Sequence, residues 1–161
     1  MKRPRRWATA NQERQGATRK RAPRKRPCEI RWSMDNTIAE VESALAEFVA
    51  AFNDLDWERF RACFAPDATV FFPARPFPTG RATSWKEVAV GFAPFFANLR
   101  ATALGPPYQQ IAPRDLLIQP LGDAALVTFH LPRETALGRR TLVLRKTEAG
   151  WKIVHLHASL L

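Results

Sequence analysis

Between Ile38 and Phe52 the apolar residues fall at helical intervals: Ile38, Val41, Leu45, Phe48 and Phe52 are spaced three, four, three and four apart, with Glu40, Glu42 and Glu47 on the other sides. One apolar stripe on an otherwise polar helix is the pattern of an element that packs on a core by one face. Thr37 followed three residues later by Glu40 is a capping-box pattern and predicts the helix start there, and Asn53-Asp54 predicts its end. Asp56 is placed to cap a second, short helix carrying Trp57, Phe60 and Phe64, which Pro66-Asp67 stops. The β-branched and aromatic run from Ala68 to Pro73 reads as a strand. After a loop rich in Pro and Gly, from Ala74 to Gly80, Ser84 and Glu87 form a second capping box. The third helix then carries Val88, Phe92, Phe95, Phe96 and Leu99, with a kink or restart expected at Pro94.

Beyond Gly105-Pro106-Pro107 the helical period disappears. Alternating segments follow, from Asp115 to Gln119, Ala124 to Leu131, Arg139 to Lys146 and Trp151 to Ser159, separated by turn signals at Gly122-Asp123, Pro132 through Gly138, and Glu148 to Gly150. Helices first and hairpins last point to an α+β packing, in which a curved, mainly antiparallel sheet wraps the helices and leaves a pocket at its open end.

Charge alters the picture only at the start of the chain. The net charge is +10, but residues 1–33 hold twelve Lys+Arg against two acidic residues, while residues 34–161 hold thirteen of each. The domain predicted over 34–161 is therefore neutral and offers no basic face for nucleic acid. The arm, 1–33, has no periodicity and few residues able to pack, so disorder is expected. It has three readings: a nucleic-acid or acidic-membrane binding arm, an organellar targeting peptide, or an upstream extension with Met34 the natural first residue. The third is favoured, because Met34 lies just before the predicted helix start and Met1 is the only other methionine. No apolar run has the roughly 20 residues of a membrane helix, and no apolar segment follows the basic start as in a secretory signal. A cytoplasmic protein is expected. Cys28 and Cys63 fit no metal or redox spacing, and Cys63 reads as a small buried hydrophobe.

Two segments carry a family resemblance. Trp57 to Pro73, W-E-R-F-R-A-C-F-A-P-D-A-T-V-F-F-P, and Arg139 to Ser159, R-R-T-L-V-L-R-K-T-E-A-G-W-K-I-V-H-L-H-A-S, resemble the SnoaL-like branch of the nuclear-transport-factor-2-like superfamily. The closing W-x-I-V-H-x-H-x-S is also similar to the association domain of calcium/calmodulin-dependent protein kinases. The resemblance implies a cone with one apolar pocket and a homodimer formed through the outer sheet face. It transfers no catalytic set: the steroid-isomerase branch uses Tyr and Asp, whereas the only tyrosine here is Tyr108, in a Gly-Pro-Pro loop region.

Strict alternation along Trp151 to Ser159 puts Trp151, Ile153, His155, His157 and Ser159 on one face. The resemblance turns that face into the cone. His155 and His157 are thus the candidate catalytic residues, as a general base or as groups polarising an anionic or carbonyl ligand; the structural alternative is a pair of buried sheet histidines that close the cone. Asp56 is a minor catalytic candidate beside its capping role. Trp57, Phe72, Trp85, Phe92, Phe96 and Trp151 are candidates for both core and pocket wall. His130 is a third histidine within conceivable reach, although no Cys or carboxylate spacing supports a metal, and no metal or cofactor is expected. Arg145 is a candidate ligand contact, with Arg139 on its face, Arg140 on the other, and Arg75 as a rim residue. The leading expectation is a small-molecule-binding protein, which as an enzyme would be a cofactor-free isomerase, cyclase or hydratase. The alternative is an oligomerisation or interaction module.

Overall fold

The computed structural model describes residues 27–73, 75, 77–132 and 136–161, with side chains from Met34 onward. Helices α1 (Pro27–Asn53) and α2 (Trp57–Ala62) are followed by strand β1 (Phe64–Phe71), a two-residue strand β2 (Arg81–Ala82), helix α3 (Trp85–Thr102) and four strands, β3 (Arg114–Leu121), β4 (Ala124–Pro132), β5 (Leu137–Thr147) and β6 (Gly150–Leu160). All six strands form one sheet in the order β2-β1-β6-β5-β4-β3. Every pairing is antiparallel except β1 with β6, which is parallel. This is the α+β arrangement that the helix-then-hairpin order predicts, with the sheet curved around the helices.

The apolar stripe of α1 does what its spacing requires. Val41, Leu45 and Phe48 are buried against the sheet's inner face, which presents Val70 from β1, Val127 and Phe129 from β4, Leu142 and Leu144 from β5, and Ile153 and Leu156 from β6. Phe60, on the single buried face of α2, is fully buried. Its ring lies 4.9–6.1 Å, centroid to centroid, from Phe48, Phe52, Trp57, Phe64, Phe92 and Phe96, so one side chain joins α1, α2, α3 and β1. Cys63 is buried beside it, and its Sγ donates to the Arg59 carbonyl at 3.3 Å. Burial pushes the thiol up to about 11, so it is not a thiolate at neutral pH.

Three helix expectations change. α2 ends at Ala62, so Phe64, expected on it, opens β1, and Pro66-Asp67, expected to stop the helix, lies within that strand. α1 begins at Pro27, and the segment Pro27–Ser33, expected in a disordered arm, is its first two turns; the rest of the arm lies outside the described residues. Thr37 and Glu40 therefore sit inside the helix and do not start it. Glu40 is used elsewhere: its Oε2 accepts from Lys146 Nζ at 2.7 Å and Trp151 Nε1 at 2.9 Å, tying α1 to the β5–β6 hairpin. These bonds, Lys146 first, hold its carboxyl below the usual carboxylate range. α3 does start as predicted, with Ser84 Oγ accepting from Glu87 N–H at 3.4 Å, but it passes through Pro94 without a break. Pro94 is exposed, and so is Val90 one turn before it, so water can satisfy the carbonyl that a proline cannot serve.

The decisive irregularity is a β-bulge in β6. Val143 of β5 pairs with His155 and the next residue, Leu144, pairs with Ile153, leaving Val154 as the extra residue; the β1–β6 register shifts at the same place. One extra residue inverts the facing of everything beyond it. Trp151 and Ile153 point inward before the bulge, and Leu156 and Ala158 point inward after it.

Candidate functional site

Between the helices and the inner sheet face lies a partly enclosed apolar cavity of about 60 Å³, space for a handful of waters. Phe48 and Phe52 of α1, Phe92 and Phe95 of α3, Val70 of β1, Phe129 and Leu131 of β4, and Leu156 and Ala158 of β6 line it. Phe72, Pro73, Phe77 and Ile111 close it from the loops. Asn53, at the end of α1, fixes the last of these: its Oδ1 accepts from Ile111 N–H at 2.9 Å and its Nδ2 donates to the Ile111 carbonyl at 3.1 Å. Phe72 and Phe77 stack with centroids 5.5 Å apart and planes 5° from parallel. Phe72 reaches this position over Gly91, where a Cβ would stand 2.2 Å from its Cζ.

Arg140 is the one charged side chain among the described residues that line the cavity. It sits on β5 in phase with buried Leu142 and Leu144, so alternation turns it inward. Its Nη1 donates to the backbone carbonyls of Arg139 at 2.9 Å and Ser159 at 3.2 Å, which holds the guanidinium at the cavity wall. A guanidinium bordering an apolar hollow attracts and orients an anionic or carbonyl group, but it is no general base at ordinary pH.

His155 and His157, expected in the pocket, are on the opposite face. The bulge at Val154 breaks the alternation that grouped them with Trp151, and it gives the cavity wall to Leu156 and Ala158. On the outer face His155 Nδ1 lies 2.7 Å from Thr69 Oγ1, and the Phe71 ring is 6.0 Å from His155 and 5.6 Å from His157. Burial, then the charges of His157 and Arg81, push the His155 ring's pKa below the usual imidazole value, which favours its neutral form.

Other candidates also move. His130 is on the outer face, its Nδ1 2.9 Å from Asp115 Oδ2. It is separated from β6 by β5, and among the described residues no three potential metal ligands come together. Arg145 points outward and pairs with Asp67 at 3.0 Å. Trp151 is committed to Glu40. Trp57, Trp85 and Phe96 belong to the aromatic core and not to the cavity wall, with Trp57 5.5 Å from Trp85 and 5.6 Å from Phe96. Asp56 caps α2, accepting from Arg59 N–H at 3.1 Å. Phe72 and Phe92 are the two candidates that line the cavity. Arg140 was visible in sequence as one of three arginines on this strand, but only the register selects it.

Residues 41–161 match the family model of the SnoaL-like domain. No curated protein matches the chain. Among solved structures, the chain is similar to a proposed dehydratase of the NTF2-like family from Streptomyces avermitilis, at 25% identity and a TM-score of 0.67 over 80% of this chain and 98% of that one. An NTF2-like protein with a cystatin-like fold from Novosphingobium aromaticivorans shares 16% identity and a TM-score of 0.63, over 83% and 88% of the two chains. The S. rosetta CaMKII hub shares 22% identity and a TM-score of 0.58, over 76% and 95%. Among the described residues no helix is long and apolar enough to cross a membrane.

Proposed function

Because the chain belongs to the SnoaL-like domain family, we propose that it binds a small organic molecule whose apolar body enters the phenylalanine-lined cavity and whose anionic or carbonyl head meets Arg140. The observation that carries this reading is the guanidinium of Arg140 at the wall of a hollow whose other described lining residues are apolar. The likeness to a proposed dehydratase raises the question of turnover. Among the described lining residues there is no Asp, Glu, His, Cys or Tyr, so none of them could take a proton near neutral pH. Binding and shielding of the ligand is therefore the reading adopted.

The test uses two slender probes of similar shape, measured by calorimetry. Anionic hexanoate should lose about tenfold or more in affinity in Arg140→Leu, the scale of a hydrogen bond to a charged group. Neutral hexanamide should lose less than threefold. Equal losses for both probes, or no binding of either to the parent protein, would sink the proposal.

Self-association fits the same molecule, since a neighbour of this fold is a hub. We propose that a second copy packs on the outer sheet face, where Phe71 and Leu117 are 38% and 54% exposed. Sedimentation velocity should show a dimer that Leu117→Glu dissociates; a monomeric parent protein would refute this.

A further inference from the structure

Phe77 lines two hollows, and Phe95, whose ring is 5.3 Å away, lines both as well. One is the inner cavity. The other is an outer groove of about 330 Å³, whose remaining walls are Pro78 and, along α3, Val90, Gly91, Pro94 and Asn98. The groove is apolar apart from Asn98, and Val90 stands 64% exposed beside it. Phe77 is held in place by ring contacts alone among the interactions described for its side chain: 5.5 Å to Phe72, 5.3 Å to Phe95 and 6.0 Å to Phe92. An aromatic ring with two side-chain torsions and no polar anchor can change rotamer at a cost that ligand burial readily offsets.

We infer that Phe77 is the partition between two halves of one binding site, and that the ligand is an elongated amphiphilic acid longer than the inner cavity, its head at Arg140 and its tail lying in the outer groove on α3. This rests on the reading that the cavity holds a small organic molecule, and it adds the ligand's length and the residue that sets it. The inner cavity alone, at about 60 Å³, is well below the roughly 150 Å³ of an engineered cavity that takes up benzene. Turning Phe77 adds a space several times larger without disturbing the sheet.

Straight-chain carboxylates are the probes, hexanoate and dodecanoate, each kept below its micellar concentration and measured by calorimetry on the full chain. Each methylene taken from water is worth roughly a fourfold gain. With part of the added chain buried, dodecanoate should bind at least about a hundredfold tighter than hexanoate. Val90→Trp, which fills the groove from an exposed helix position, should cut that ratio to below about tenfold, and Asn98→Trp should do the same from the other end. A large ratio unchanged in both variants would overturn the groove as the tail's seat. A ratio near one in the parent protein would overturn the extension while leaving the cavity reading standing. Failure of both acids to bind the parent protein would overturn the cavity reading and the extension together.

Discussion

Phe60→Ala is expected to lower the free energy of unfolding by about 3–5 kcal/mol. The side chain is fully buried, and six aromatic rings from three helices and the first strand converge on it. Truncation removes the transfer energy of the ring and leaves a void that its neighbours cannot collapse into, because they are held by four different elements. Aromatic pairs add about 0.5–1.5 kcal/mol beyond area burial. A domain of this size has only about 5–15 kcal/mol in total, so the variant should approach the threshold of folding. Urea unfolding followed by tryptophan fluorescence gives the number. A loss below about 1 kcal/mol would mean that the cluster repacks freely and that Phe60 is not its keystone. Phe71→Ala, at a more exposed ring on the outer face, should cost far less.

Gly91→Ala is the second, and its sign is the point. In an ordinary exposed helix position this change stabilises by about 1 kcal/mol. Here the new methyl would stand 2.2 Å from Phe72 Cζ and 2.5 Å from its Cε1, so the ring must leave. That breaks the stack on Phe77 and the 5.2 Å contact with Phe92, both on the cavity wall. Overpacking of this kind costs about 1–3 kcal/mol, and probe binding to the cavity should fall with it. The double-mutant cycle isolates the cause: in a Phe72→Ala background the same Gly91→Ala change should turn stabilising, by about 1 kcal/mol. A destabilising effect that persists without the ring would show that something other than Phe72 requires the glycine.

The helices and strands were legible because each buries one face, and the spacing of Val41, Leu45 and Phe48, or of Val127, Phe129 and Leu131, records that directly. What the spacing does not record is a change of phase. The extra residue in β6 is a valine, as good a strand former as its neighbours, with no glycine or proline to mark it. Strict alternation therefore carried the inward facing of Trp151 through to His155 and His157, when the true sequence of inward residues is Trp151, Ile153, Leu156, Ala158. The same slip hid Leu156 and Ala158 as cavity residues. Arg140 was hidden for a related reason: three arginines lie on β5, and only its pairing with Ala158 and Phe129 tells which faces the cavity. The capping box at Thr37 misled because a glutamate three residues on can also serve a distant tryptophan and lysine, and a local pattern cannot distinguish the two uses.

The parallel pairing of β1 with β6 has a consequence for how the chain comes off the ribosome. β6 follows every other element in sequence, yet it lies between β1 and β5 in the sheet. Until it emerges, β1 lacks its main partner, and the apolar undersides of α1 and α3 face only half of their eventual floor. A hairpin of β3, β4 and β5 can form on the way, but the cone cannot close vectorially. The nascent polypeptide carries phenylalanines without their final packing until β6 has been made, and the cone is expected to close cooperatively when that strand inserts.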